Sequence, residues 1–501
     1  MELEDKAIFI DGMPGLFIAP AFGMSTFGEY ARFFLAKILL QHFCESNEVH
    51  LLFDVPQIWG FNLKMDTQAK RDAPKKVIAP LEGSIADDTK VPSPSQWASF
   101  LRNREDKRKL VEYLGVKILE AQKYLKQGQV VIAGGCFDGN ETFKISSTET
   151  EKLSDLKCHH EEADTRMFAH AAWTKKKCVQ FVASDTDVLA ILLLNHEAFS
   201  EKQVVIQSSD FKGTLDATKL MKDMENDGQT ELSRLRNTGV SSSLLYGTMH
   251  ALIGSDILCS PRGFGPSAII QTCLEYATYL FETTTGLQNL HKENESSRGA
   301  YIRFILALFK KKYSSKVTKR PEEILCHAQS YSDIISEMQR ETWVHTLESK
   351  TMIPTEECLL LREKNLAFQL IIWKQATNPQ MIVPRPEQYG WEKEDSGLVL
   401  QADSKENTQK QKSVFDTIMR KCKCKSSGCK TNRCSCRKNK NACTSLCECV
   451  NCENTNTHHK KTVPTESVGQ PEILDSEEEI ETSSSEDDES ESDNSDDEPE
   501  L

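Results

Sequence analysis

Residues 179–187 read VQFVASDTD, and the pattern in this stretch decides the fold prediction. A largely apolar run comes first, and an aspartate follows directly where the run ends. The same pattern occurs twice nearer the amino terminus. The three runs span residues 7–10, 49–53 and 179–184, and they end at Asp11, Asp54 and Asp185. Strands this apolar are typical of a sheet that is covered on both faces.

Helical patterns separate these runs. The clearest lie at residues 28–42 (GEYARFFLAKILLQH) and 97–122. Strands that alternate with helices predict an α/β fold with a parallel sheet and helices on both faces. Because ligands bind beyond the carboxyl ends of such strands, we expect the three aspartates to meet in one cleft.

Two further segments add carboxylates to this cleft. In residues 159–170 (HHEEADTRMFAH), a helix would place Glu161 and Asp164 three residues apart on one face, with Glu162 beside them. In Asp185-Thr186-Asp187, an extended backbone would place both carboxylates on the same side. So many acids are costly unless cations neutralise them, and Mg²⁺ or Mn²⁺ with oxygen ligands is the natural choice.

The order of these acids resembles the PIN-like superfamily, in particular its flap-endonuclease (XPG) branch. Residues 250–256 (HALIGSD) supply a late acid, and residues 262–267 (RGFGPS) are similar to a glycine-rich hairpin that grips a phosphate in that branch. The resemblance implies a PIN-like fold, phosphate contacts at Gly263 and Gly265, and a structure-specific endonuclease. The resemblance also implies that eight acids are ligands of catalytic Mg²⁺ or Mn²⁺. These are Asp11, Asp54, Glu161, Glu162, Asp164, Asp185, Asp187 and Asp256.

A second signal is the cysteine-rich segment at residues 421–452, KCKCKSSGCKTNRCSCRKNKNACTSLCECVNC. It contains Cys422, Cys424, Cys429, Cys434, Cys436, Cys443, Cys447, Cys449 and Cys452. The segment has almost no large apolar side chains, so thiolates on zinc are the expected source of order. A disulfide framework needs an even number of cysteines, whereas this segment has nine.

The number of cysteines predicts the number of zinc ions. Three tetrahedral ions need about twelve metal–sulfur bonds. Nine thiolates provide twelve bonds if six of them bind one ion and three bridge two ions. The segment is therefore expected to hold about three structural zinc ions.

The residues between these cysteines carry a net charge of +6 over residues 421–453, which suits phosphates. The segment resembles the CXC domains of the tesmin family and of the male-specific-lethal dosage-compensation ligase. That resemblance implies DNA binding, with Arg433 entering the minor groove and Lys430, Arg437 and Lys438 nearby. The chain departs from the tesmin type because it has one repeat and an arginine in place of a tyrosine. A zinc module for protein contact is the alternative.

Charge and composition suggest the domain boundaries. Residues 465–501 contain seventeen acids and no lysine or arginine, too polar a composition to fold, so a disordered tail is expected. Such a tail suits histones or other basic partners, or serves only solubility. The expected parts are a PIN-like α/β domain (1–290), a helical extension (291–378), a linker (379–420), the CXC zinc domain (421–455) and the acidic tail (456–501).

The combination of these parts resembles a family of multicopy animal proteins, often transposon-associated. The segments that carry the resemblance are residues 97–102 (WASFLR), 163–166 (ADTR), 184–188 (SDTDV) and 390–392 (GWE). This resemblance implies the architecture of the chain more than an activity. From all these features we expect a nuclear protein that binds DNA and is not secreted. Whether it is an enzyme stays open, because a chromatin or transposon-derived adaptor with the PIN-like fold as a scaffold fits equally. No apolar run approaches the roughly twenty residues that span a bilayer.

Overall fold

A computed structural model describes most of the chain between residues 5 and 454. The described residues are 5–20, 23–56, 60–61, 80–208, 213–226, 240–255, 257–258, 260–281, 285–292, 298–313, 331–332, 334–335, 338–339, 342, 352–394, 397–401, 404–406, 409, 422–425, 428–439, 443 and 447–454. They belong to two compact units, which divide the chain between Ser404 and Lys405.

Within the described residues, the first unit contains an eight-stranded sheet that is mainly parallel. Its strands are β1 (Lys6–Asp11), β2 (Glu48–Leu52), β3 (Val130–Gly134), β4 (Thr142–Ser146), β5 (Thr150–Lys152), β6 (Cys178–Val182), β7 (Gln203–Ser208) and β8 (Gly213–Asp216). Their order across the sheet is β5-β4-β3-β2-β1-β6-β7-β8. The central strands β3, β2, β1, β6 and β7 are parallel, whereas β4, β5 and β8 join by antiparallel pairing. The predicted α/β class with a parallel sheet is confirmed.

Each face of the sheet carries its own apolar core, because alternate residues of a strand point to opposite faces. In β1, Ile8 and Ile10 lie in one core, and Ala7 and Phe9 lie in the other. All four side chains are almost completely buried. The continuous apolar run in the sequence is thus explained by burial on both sides.

The core that contains Ile8 and Ile10, called here the first core, is packed by helices from the amino-terminal part of the chain. They are α1 (Gly12–Leu16), α2 (Phe27–Phe34), α3 (Pro94–Arg102) and α4 (Arg104–Glu120). A capping box of Thr26 and Glu29 begins α2, and the helix continues as a π-helical turn over Leu35–Leu39. In α3, the buried Trp97 donates its indole N–H to the carbonyl of Leu16 at 2.7 Å. This bond holds the end of α1, which directly follows β1.

The core that contains Ala7 and Phe9, called here the second core, is packed by helices that follow later in the chain. They are α5 (Ala163–Trp173), α6 (Asp187–Leu194), α7 (Ala217–Asn226), α8 (Ser242–Ile253), α9 (Pro266–Glu275), α10 (Ala277–Leu280), α11 (Ala300–Lys312) and α12 (Glu356–Lys374). Helices α11 and α12, which lie in the expected helical extension, therefore belong to the same core as α5 and α6.

The first unit continues beyond residue 378, where the sequence suggested the start of a linker. Strands β9 (Trp391–Glu394) and β10 (Gly397–Leu400) form an antiparallel hairpin. Trp391 is only 2% exposed and packs on Phe368, with ring centroids 5.2 Å apart. Met381 is also buried in this core. The GWE segment is thus part of the packed structure of the first unit.

The second unit is small where it is described. A short helix, α13 (Ser435–Lys438), follows Cys434, and cysteines form the interior. The predicted acidic tail lies outside the described residues. None of the described helices combines the length and the apolar character that a membrane span requires.

Candidate metal centres

Three aspartates follow adjacent parallel strands of the first unit. Asp11 is the last residue of β1, Asp54 comes two residues after β2, and Asp185 comes three residues after β6. Because β2, β1 and β6 are neighbours and parallel, their carboxyl ends lie at one edge of the sheet. The strand order reverses direction between β1 and β6, which is where α/β sheets open a crevice for ligands.

The first two aspartates also fix local structure. Asp11 begins helix α1 and accepts a hydrogen bond from the backbone N–H of Met13 at 2.8 Å. Asp54 accepts one from the backbone N–H of Ala163, also at 2.8 Å. The second bond joins the end of β2 to the first residue of α5, so the two elements meet at this edge.

Helix α5 begins later than the sequence suggested. Its first residue is Ala163, and Glu162 is the capping residue in extended conformation. Glu161 therefore lies outside the helix, and its carbonyl accepts a hydrogen bond from the N–H of Val55 at 2.7 Å. The expectation that Glu161 and Asp164 share a helical face is wrong, because only Asp164 is helical.

Asp164 lies at the centre of the carboxylates. Its Oδ1 atom is buried and has no hydrogen-bond partner. Burial, and then the negative charges of Asp11, Asp185, Glu162 and Asp54, raise the pKa of Asp164 well above its usual value. We call these five residues the carboxylate cluster. It contains Glu162, the capping residue of α5.

Asp185 and Asp187 are arranged differently from the prediction. Thr186 between them has helical dihedral angles, φ −72° and ψ −17°, so the backbone is not extended. The N–H of Asp187 donates to Oδ1 of Asp185 at 2.9 Å, and Asp187 begins helix α6. Oδ1 of Asp187 accepts a hydrogen bond from Nε2 of His250, 2.8 Å away.

The structure describes the glycine-rich segment at residues 262–267 but not the late acid. Asp256 lies outside the described residues. Gly263 has a positive φ of 84°, and its carbonyl accepts a hydrogen bond from Nζ of Lys312 at 3.1 Å. Gly265 is the capping residue of α9. The hairpin thus places Lys312 next to the expected phosphate contacts.

Two residues near the cluster were missed from the sequence. Arg166 is completely buried in α5, donates to the carbonyl of His160 at 2.6 Å and interacts electrostatically with Asp54. His250 pairs with Asp187, as described above. Both lie inside segments that the sequence singled out for their acids, ADTR and HALIGSD. The sequence shows no sign of the contacts of Arg166 with Asp54 and of His250 with Asp187, because these partners are distant along the chain.

The cysteines of the second unit form one buried group. Cys422, Cys429, Cys434, Cys436 and Cys443 are buried, and the other four cysteines pack against them. All nine are free thiols. Four measured Sγ···Sγ distances lie between 3.5 and 3.8 Å. Four sulfurs around one zinc ion at 2.3 Å are separated by about 3.8 Å, so the spacing fits tetrahedral coordination.

The cysteine side chains form three groups of four whose sulfur atoms lie within 4.8 Å of one another. The groups are Cys422, Cys434, Cys436 and Cys443; Cys422, Cys429, Cys443 and Cys449; and Cys422, Cys424, Cys429 and Cys434. Cys429, Cys434 and Cys443 each belong to two groups, and Cys422 belongs to all three. This buried cluster could hold a structural metal ion such as zinc.

One thiol of the cluster is poised for metal binding. Burial raises the pKa of Cys434, but the backbone N–H of Arg437 and neighbouring thiols outweigh burial and lower it to about 6. A thiol with this pKa is largely thiolate at neutral pH, the form that binds metals.

The basic side chains around the cluster fall into two sets. Lys430 pairs with Glu453 at 2.6 Å, and Lys423 pairs with Glu448 at 3.2 Å. Arg433, Arg437 and Lys438 are exposed on or beside α13. Among the described basic side chains, Arg433, Arg437 and Lys438 thus form an exposed positive group on or beside α13, and Lys430 is partly neutralised by its acidic partner.

A comparison with models of known protein families found no match. A comparison with curated protein sequences found none either.

Proposed function

We propose that the first unit is a PIN-like nuclease of the flap-endonuclease type that depends on Mg²⁺ or Mn²⁺. The position of Asp164 carries this proposal. One of its carboxylate oxygens is buried without a hydrogen-bond partner, and four further carboxylates act on it. Buried polar atoms are normally paired, so an unpaired carboxylate oxygen among like charges favours a bound cation.

The residues of the carboxylate cluster fit a divalent ion. Carboxylate oxygens are the ligands that Mg²⁺ and Mn²⁺ prefer. The cluster also lies at the edge of the sheet where the strand order reverses, the usual ligand site of this architecture. Asp11, Asp54, Glu162, Asp164 and Asp185 are therefore the residues that would hold the ions.

The backbone of the chain orients these acids before any ligand arrives. The N–H of Met13 holds Asp11, and the N–H of Ala163 holds Asp54. The residues of the carboxylate cluster would hold the divalent ions, whose chemistry there would be activation of a water and stabilisation of the leaving oxygen of a phosphodiester. Prearranged ligands raise the rate because little reorganisation accompanies the reaction.

The test is cleavage of a 5′-flap DNA by the full-length protein with Mn²⁺. Wild-type protein is expected to cut, and Asp164→Asn is expected to lower the rate at least about 100-fold, a typical loss when charge stabilisation is removed. Asp223→Asn changes an exposed acid in α7 and serves as the matched control, with wild-type activity expected. Equal cutting by wild type and Asp164→Asn would contradict the proposal.

For the second unit, we propose a CXC module that holds about three zinc ions and binds DNA in the nucleus. The exposed Arg433, Arg437 and Lys438 around α13 support it, because clustered cations bind phosphates. Arg433→Ala is expected to weaken DNA binding and to reduce the slope of log K against log salt by about one. Binding isotherms at several salt concentrations measure this slope, and Lys423→Ala, in an ion pair with Glu448, is the control.

The second candidate function is a non-enzymatic DNA-associated adaptor. It is favoured by the structural bonds that Asp11, Asp54, Asp185 and Asp187 make with backbone N–H groups or with His250. Such bonds alone would explain why a folded scaffold has acids at these positions. DNA binding without Mn²⁺-dependent cutting would favour this candidate.

A further inference from the structure

Helices α6 and α8 cross at a glycine. A Cβ atom on Gly247 would lie 2.8 Å from Cγ of Leu194 and 3.1 Å from the carbonyl oxygen of Ala190. Real side chains do not approach so closely, so the two helices reach this separation only because residue 247 has no side chain. His250 lies one turn after Gly247 in α8, and Asp187 lies one turn before Ala190 in α6. The same close approach of the two helices brings these side chains together.

The contact between His250 and Asp187 is a hydrogen bond in a half-buried position. Nε2 of His250 lies 2.8 Å from Oδ1 of Asp187, and the two side chains are 26% and 24% exposed. The imidazole N–H donates, because the aspartate oxygen can only accept.

A third helix supports the histidine ring. Trp373 of α12 is almost completely buried, and its ring centroid lies 6.3 Å from that of His250. The carbonyl of Trp373 accepts a hydrogen bond from the side chain of Asn195, which follows α6, at 2.8 Å. Helices α6, α8 and α12 therefore hold His250 in one position.

The position of Asp187 in turn determines where the side chain of Asp185 is held. Its backbone N–H donates to Oδ1 of Asp185 at 2.9 Å, and Asp185 is one of the charges that act on Asp164. Oδ1 of Asp187 is already engaged by the imidazole of His250, so this oxygen faces α8.

We propose that His250 and Asp187 form an anchoring pair that orients Asp185 in the carboxylate cluster, and that Asp187 is a positioning residue, not a metal ligand. This inference rests on the proposed metal-dependent function. Partners that orient metal ligands typically contribute about 10- to 100-fold to metal affinity.

The test is a double-mutant cycle on Mn²⁺ affinity, measured by calorimetry on the full-length, zinc-loaded protein. His250→Leu and Asp187→Asn are each expected to weaken Mn²⁺ binding about 10-fold. The double variant should bind no more weakly than either single variant, because both changes remove the same interaction. Asp185→Asn should abolish binding, and His250→Gln, which retains an N–H donor, should restore most of the affinity.

His196→Leu is the matched control, since His196 follows α6 at its other end and contacts the carbonyl of Leu193. It should bind Mn²⁺ as the wild type does. Unchanged binding by His250→Leu, or complete loss in Asp187→Asn, overturns this inference alone. A wild-type protein that binds no Mn²⁺ overturns the proposed nuclease function and this inference together.

Discussion

At the scale of single residues, the buried carboxyl group of Asp164 is electrostatically unfavourable. Burial, and then repulsion from four other carboxylates, raise its pKa. An acid with a raised pKa in the folded state costs stability at every pH above its unfolded pKa, near 4. The contribution of Asp164 to the stability of the metal-free protein is therefore expected to become less favourable as the pH rises from about 4 towards the raised pKa.

Asp164→Asn is expected to stabilise the metal-free protein, because the amide has no charge to repel its neighbours. At pH 7 the free energy of unfolding should rise by about 1 kcal/mol or more, and the gain should shrink as the pH falls towards 4. Urea unfolding at several pH values measures this, with chelator present for the carboxylate cluster and zinc supplied for the second unit.

The same variant should lose the stabilisation that Mn²⁺ gives to the wild type. Asp223→Asn, in an exposed position, should match the wild type in both measurements. A variant that is less stable than the wild type at pH 7 would show that Asp164 makes a favourable structural contact and is not under electrostatic strain.

At the scale of elements, the contact between α6 and α8 depends on Gly247. A Cβ there would overlap Leu194, and overpacking typically costs about 1–3 kcal/mol. The higher helix propensity of alanine relative to glycine offsets up to about 1 kcal/mol of this cost. Gly247→Ala is therefore expected to destabilise the first unit by about 1 kcal/mol.

Urea unfolding measures this change too. Lys222→Ala, at an exposed position inside helix α7, is the control, and a change of about 0.5 kcal/mol or less is expected. Equal stability of Gly247→Ala and wild type would show that the two helices can separate without cost.

Elements were predicted better than their ends. The run at residues 7–10 lies within β1, and the run at 49–53 lies within β2 except for its last residue. The pattern at 97–122 corresponds to the two helices α3 and α4. The break between them follows Asn103, whose side chain accepts hydrogen bonds from the backbone N–H groups of Glu105 and Asp106 and so starts a new helix. Apolar periodicity identifies elements, but a single capping side chain decides where one begins.

At the scale of the whole molecule, the two units differ in what holds them together. The first has extensive apolar cores, whereas in the described part of the second the buried cluster consists of cysteines. A unit with so little apolar surface depends on its metal ions for stability. Removal of zinc is therefore expected to unfold the second unit and to leave the first one folded.

Metal analysis of the purified protein should find about three zinc ions per chain. Calorimetry before and after treatment with a strong chelator tests whether the first unit stays folded without zinc. The temperature of its main unfolding transition should change by no more than about 2 °C. A zinc content near zero or two, or a large shift of the main transition, would contradict this division of the molecule.

The sequence by itself determined the class of fold and the chemistry of the cysteine cluster, because both depend on local patterns. Apolar runs that end in acids define parallel strands, and nine cysteines within thirty-one residues define a metal-binding segment. Only the tertiary structure decided which acids meet. Glu161 lies outside α5, Asp187 turns to His250, and the described residues between 379 and 400 pack into the first unit. Each of these outcomes depends on helix ends or on partners far along the chain, which no local pattern records.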